Sequence, residues 1–233
     1  MGADHGRLLI DEHISVPRRQ RNEPSADVIA GHDCRVDIAS RVTTLVSAHP
    51  DVQRVVLVGS RADGEPTALS DWDFRIHTTK PSEVARDLPE LVAPLQPMAA
   101  QWDRLGEHAT YMLMLPGPIK IDLFPGDERR ELQPPWEPSR ANLAAVDAHF
   151  WDWILWLGGK SLAGNAEIVA DELAQMRRHL LGPLGVTSVP ATVRDAVDEY
   201  RRARDRLEER WGIAVPRRLG DDVAAALRRQ GLV

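Results

Sequence analysis

The chain has one cysteine, three lysines and no long apolar run, and each shortage closes off a class of protein. A single thiol, Cys34, can form neither an intrachain disulfide nor a cysteine-based zinc site, so a reducing cytoplasm is the expected setting and Cys34 reads as an ordinary buried or half-buried thiol. No stretch of about 18 apolar residues occurs, which leaves no membrane span to expect. Asp4, Arg7, Asp11 and Glu12 stand where a signal peptide needs apolar residues, so export is not expected either. A basic surplus is also missing. The formal charge of -6 argues against a nucleic-acid partner, which needs a basic footprint to displace phosphate counterions, and favours a small charged substrate.

The 233 residues suffice for a real core and for one domain or two small ones, and two are expected. Residues 1–32 carry charge, Pro17, Pro24 and the basic run Arg18-Arg19-Gln20-Arg21 without a period, and read as an N-terminal extension with a solvated tail. Asp33 can cap a helix on which Val36, Ile38, Val42, Leu45 and Val46 recur, ending at His49-Pro50. Strands are expected over 54–58 and 71–78, with a loop carrying Asp63-Gly64 and Pro66 between them, then a short helix through Val84, Leu88 and Leu91. A hairpin follows, residues 109–114 and 119–124 about the turn Pro116-Gly117-Pro118. This mixed unit spans 33–128. Beyond a proline-rich linker, residues 139–233 are helical in pattern, with helices over about 142–162, 166–181, 190–211 and 221–229. The fold class is therefore α+β, a small mixed sheet followed by a C-terminal helical bundle.

Gly59-Ser60 follows the apolar run Val55-Val56-Leu57-Val58, and Ser70-Asp71-Trp72-Asp73 follows at a fixed distance. Along a strand Asp71 and Asp73 share one face while Trp72 and Phe74 point to an apolar one. In the hairpin, Ile119, Ile121 and Leu123 share a face and leave Lys120 and Asp122 on the other, so Asp122 joins the pair if its strand lies beside the second one. Carboxylates without thiols or clustered histidines suit a hard ion such as Mg²⁺, and hence a phosphate substrate. Glycine lets the main chain approach phosphate, and amides with a serine hydroxyl supply donors.

These segments, Gly59-Ser60-Arg61-Ala62-Asp63-Gly64 to Asp73 and Ile119-Lys120-Ile121-Asp122, resemble the DNA polymerase beta superfamily of nucleotidyltransferases over about residues 34–125. The helical remainder, with Phe150-Trp151 and Lys160 on its long helix, looks like the C-terminal bundle of the aminoglycoside and lincosamide adenylyltransferases. The resemblance implies an N-terminal nucleotidyltransferase domain that moves AMP from ATP to a hydroxyl of a small molecule, an aminoglycoside-type antibiotic leading. It makes Asp71, Asp73 and Asp122 catalytic ligands of two Mg²⁺ ions, and Gly59, Ser60, Arg61, Ser70 and Lys160 nucleotide contacts. In some of those enzymes a glutamate one turn before the lysine is the general base; here that position is Trp156, which leaves Asp122 as first choice for the base and Asp152 as second.

Several residues keep two readings. Lys120 is a triphosphate contact or a salt bridge inside the acidic cluster; Trp156 stacks on a ring of a substrate or belongs to the core. Arg75 and His77 read as rim residues, and Glu167 as a first-turn carboxylate favoured by the helix dipole. On the long helix His149, Asp152, Trp156 and Lys160 form one stripe opposite much of the apolar set, and Asp147, Asp152, Glu167 and Asp171 are expected at the surface, steering a cationic acceptor. Two rival functions stand beside the first. One is a toxin–antitoxin-type nucleotidyltransferase acting on a protein or tRNA, the other an inactive nucleotide-binding relative.

Overall fold

In the computed structural model, residues 38–106, 108–126 and 132–233 are described, and Asp37–Val233 form one compact unit. The expected extension 1–32, the basic run within it, the cap Asp33, Cys34 and Val36 lie outside the described residues. The chain is α+β. Helix α1 (38–47) leads into strand β1 (Val52–Val58), followed by β2 (Trp72–Thr78), α2 (Pro81–Val92), a 3₁₀ turn (Ala93–Leu95), β3 (Ala99–Trp102), β4 (Tyr111–Leu115) and β5 (Ile119–Phe124). The helical part is α3 (Leu143–Leu162), α4 (Ala166–Met176), α5 (Val193–Trp211) and α6 (Arg218–Arg229).

The strands form one sheet in the order β1-β2-β5-β4-β3. All neighbours are antiparallel except β2 and β5, which run parallel and place Trp72 beside Ile121, Asp73 beside Asp122 and Phe74 beside Leu123. Side-chain alternation then sorts the faces. Phe74, Ile76, Leu113, Ile121 and Leu123 join Val42 and Val46 of α1 and Val84 and Leu88 of α2 in one core. The opposite face carries Asp73, Lys120, Asp122, Met112 and Met114, and Met114 belongs to the core of the helical part. Strand β4 is buried on both sides, which is why Met112-Leu113-Met114-Leu115 reads as a continuous apolar run rather than an alternating one.

Helix α3 is the axis of the helical part. It buries Leu143, Val146, Phe150, Trp151, Ile154 and Leu157, and Asp147, His149 and Asp152 as well, so nearly every face is covered. This corrects the expectation of a surface Asp147. Its carboxylate accepts from Tyr200 Oη at 2.6 Å and Trp151 Nε1 at 3.2 Å, with Arg204 Nη1 at 3.5 Å, all inside the bundle. Phe150 stacks on Tyr200 at 3.7 Å between ring centres, tying α3 to α5. Glu167 sits in the first turn of α4, as the helix dipole favours.

Boundaries shift where hydrogen bonding departs from simple periodicity. The helix expected over 166–181 stays α-helical only to Met176, and Arg177–Leu181 widens into a π turn closed by Gly182 N–H donating to Arg177 O at 2.8 Å. Helix α5 starts after Thr192, whose Oγ1 accepts from Asp195 N–H at 3.1 Å, so a capping hydroxyl rather than Pro190 sets its start. Strand β3 was not anticipated: Ala99-Ala100-Gln101-Trp102 has no β-branched residue, and pairing with β4 alone makes it extended.

Gly158 and Gly159 let the loop before β2 lie against α3. A Cβ at Gly159 would stand 3.3 Å from Leu69 O, and one at Gly158 would stand 2.5 Å from Leu227 Cδ2 and 2.9 Å from Leu69 Cδ1. Gly158→Val overpacks this junction, and a destabilisation of about 1–3 kcal/mol is expected in urea unfolding. An unchanged midpoint would show that the junction is slack.

Candidate active site

The end of β1 turns at Gly59, whose φ of +71° is costly for any residue with a side chain. A Cβ there would also lie 2.6 Å from Asp73 Oδ2. The glycine therefore makes room for a carboxylate on the neighbouring strand. From Gly59 the chain folds back on itself: Gly59 O accepts from Ala62 N–H at 2.9 Å and Asp63 N–H at 3.1 Å, and Ser60 O accepts from Glu65 N–H at 2.9 Å.

Arg61 fastens this loop to the approach of β2. Its guanidinium donates to Asp71 O at 2.8 Å and to Ser70 O at 2.5 Å, and lies 4.3 Å above the ring of Trp72. Ser70 Oγ accepts from Thr67 N–H at 2.8 Å, closing the turn before Asp71. The strand itself begins at Trp72, one residue later than expected, with Asp71 just ahead of it.

Parallel pairing of β2 with β5 brings Asp73 beside Asp122, and Asp71, Asp73 and Asp122 each offer an oxygen within 4.8 Å of the others. Carboxylates this close repel one another. Burial, then Asp71 and Asp122, push the Asp73 carboxyl up to about 7, against the pull of Lys120 and Lys160. Burial likewise raises Asp122, against the pull of Lys120. All three donors are hard oxygens and their crowding is relieved by positive charge, so the set fits Mg²⁺.

Two clefts flank the carboxylates. One, about 280 Å³, is lined by Ser60, Thr67, Ser70, Asp71, Asn165 and Lys160, whose ammonium sits 4.9 Å from the centre of the Trp156 ring. The other, about 310 Å³, meets Asp122, Asp152, Asp103, Glu172, His149 and Trp153. Trp156, half-buried, borders both. Gly59 stands at the turn between β1 and the first cleft, its space taken up by Asp73. Arg75 is exposed and His77 bonds Arg54 at 3.2 Å, and neither lines either of these two clefts.

Lys120 is 5% exposed and lies on the acidic face with Asp122, donating at 2.5 Å to each Asp122 oxygen. Asp152 reaches it from α3, with Oδ1 at 3.2 Å. Burial disfavours the ammonium, but Asp122, Asp152 and Asp71 outweigh it and hold Lys120 charged. Asp152, also buried, is raised to about 7 despite Lys120. The stripe His149, Asp152, Trp156, Lys160 does face the clefts, while Asp152 belongs to the interior rather than to the steering surface.

Two cleft residues carry no signal in the sequence. Asp103 follows the unanticipated β3, its Oδ1 accepting from Leu105 N–H at 2.9 Å, and Glu172 accepts from Trp153 Nε1 at 2.9 Å. His149, by contrast, belonged to the expected stripe. Trp136 Nε1 donates to its Nδ1 at 3.0 Å, which places the proton of the neutral ring on Nε2, 3.7 Å from Asp103 Oδ1.

No family model matches the chain, and no curated protein does. Among solved structures, the polymerase core of TRAMP, an RNA surveillance complex, is similar at a TM-score of 0.35 and 13% identity; the match takes in 88% of this chain and 58% of that one. An aminoglycoside 6-adenyltransferase from Bacillus subtilis is similar at a TM-score of 0.26 and 11% identity, over 82% of this chain and 97% of that one. Likenesses this weak carry no functional argument, and the geometry of the site must carry it.

Burial lowers His149 to about 4 from an ordinary 6.5, with Asp103 opposing and Arg104 adding. The folded state therefore binds fewer protons than the unfolded chain between those values, and this stability is lost as pH falls through the window. The raised carboxyls Asp73 and Asp152 act in the opposite sense, so the variant must be compared with the parent. His149→Gln removes the titration, and the parent's stability relative to it should drop by about 2 kcal/mol between pH 7 and pH 5 in urea unfolding. A pH-independent difference would mean the ring is not held neutral.

Proposed function

We propose that the chain is a Mg²⁺-dependent nucleotidyltransferase that moves AMP from ATP to a hydroxyl of a small molecule, with an aminoglycoside-type antibiotic as leading acceptor. The observation that carries this is the convergence of Asp71, Asp73 and Asp122 within 4.8 Å, flanked by two clefts. In this reading Asp71, Asp73 and Asp122 hold the divalent ions, which supply charge stabilisation for the entering and leaving oxygens. Ser60, Ser70 and Lys160 line the cleft on the Asp71 side and suit a triphosphate, with Gly59 and Arg61 fixing the loop that presents Ser60.

The acceptor takes the other cleft. Its hydroxyl oxygen forms the new bond to the α-phosphorus, the bond from that phosphorus to pyrophosphate breaks, and Asp122 takes the hydroxyl proton. Asp103 and Glu172, lining this cleft with Trp153 and Trp156, suit a cationic acceptor, since carboxylates and aromatic rings both attract ammonium groups. Exposed Glu167 and Asp171 on α4 add to the steering field.

Asp71→Asn and Asp73→Asn should each reduce pyrophosphate release from ATP, screened against aminoglycosides, lincosamides and simple sugars, to background while circular dichroism stays unchanged. Parental rates in both variants would refute the metal assignment. Lys160→Ala should raise the KM for ATP about tenfold, roughly 1.4 kcal/mol of binding. The same KM with a changed acceptor KM would move the triphosphate to the other cleft.

A further inference from the structure

The buried lysine between the metal-side carboxylate and the acceptor cleft has no part in the mechanism above, yet its surroundings are unusual. Both oxygens of Asp122 accept from Lys120 Nζ at 2.5 Å. On the other side stands Asp152 Oδ1, buried, 3.2 Å from the same nitrogen, near enough for ion pairing but outside hydrogen-bond geometry and with no other hydrogen-bond partner. A buried carboxylate oxygen left without a hydrogen bond is costly. The ammonium thus sits in one seat while a second, adjacent and incomplete, faces it from α3.

Resting on the metal reading of Asp71, Asp73 and Asp122, we propose that Asp152 is a positioning residue, the alternative seat for Lys120. When Lys120 turns from Asp122 to Asp152, the Asp122 oxygens are freed for a divalent cation. The charge account favours the exchange. With Lys120 on Asp122, its ammonium occupies the oxygens a cation would need; with Lys120 on Asp152, the orphaned oxygen is satisfied and the cation takes up the charge of the cluster. Both seats lie within reach of one flexible stem, since Lys120 already spans β5 and α3. In this role Asp152 acts through Lys120. It sets how readily the site loads.

The test is a double-mutant cycle on the full chain, read by Mn²⁺ binding alone, with free Mn²⁺ followed by electron paramagnetic resonance and no nucleotide present. Asp152→Asn removes the charged seat and is expected to weaken Mn²⁺ binding about tenfold or more. In a Lys120→Gln background the same change should have little effect, because no ammonium remains to be reseated. An equal loss in both backgrounds would show that Asp152 acts on the cation directly, and would overturn the proposal. So would unchanged Mn²⁺ affinity in Asp152→Asn. If the parent protein binds no Mn²⁺, the metal reading fails with it, whereas parental binding with an unaffected Asp152→Asn variant sinks only the seat. Asp152→Ser gives the same comparison if the Asn variant does not fold.

Discussion

Parallel pairing of β2 with β5 puts Asp73 and Asp122 side by side, and much of the molecule is arranged around that adjacency. Two carboxylates in register on neighbouring strands, with Asp71 close by, repel one another and would destabilise a sheet on their own. The structure answers with cations from two directions. Lys120 comes from the same strand as Asp122, and Lys160 comes from a helix that follows the whole sheet in sequence. The bend at Gly59 leaves room for the Asp73 carboxylate, and Arg61 pins the ensuing loop by main-chain oxygens.

Helix α3 links the packing of the molecule to its chemistry. Its apolar residues hold the bundle together, while Asp152, Trp156 and Lys160 reach the clefts at successive turns on one side. Gly158 and Gly159 permit the close approach of Leu69 that sets Ser70 and Asp71 opposite Lys160. A helix enclosed this completely shows little contrast between faces, since polar groups such as His149 and Asp147 are buried along with the leucines.

How much could be read in advance follows from this. Alternation in Asp71-Trp72-Asp73-Phe74 and Ile119-Lys120-Ile121-Asp122 was enough to set each strand's carboxylates opposite its apolar residues, but it gathers all three only if the two strands lie side by side, a condition that the pairing of β2 with β5 meets. The span of α3 was equally legible from its apolar spacing. Burial of its charged residues was not. Asp147 reads as a solvated helix carboxylate until Tyr200, 53 residues away, closes on it. The cleft that Asp122 and Asp152 line was hidden for a similar reason, since Asp103 follows a strand made only by pairing and Glu172 comes from a different helix. Arg61, expected as a nucleotide contact, also holds carbonyl oxygens of the main chain, partners that no residue type announces.

The central claim is that three carboxylates gathered by strand pairing form a divalent-cation centre next to the Gly59 bend. Anomalous diffraction from crystals grown with Mn²⁺ and a non-hydrolysable ATP analogue tests it most directly. The account predicts strong manganese peaks in contact with Asp71, Asp73 and Asp122, with the triphosphate toward Lys160. Manganese bound elsewhere, or nucleotide ordered without metal at these carboxylates, would contradict it.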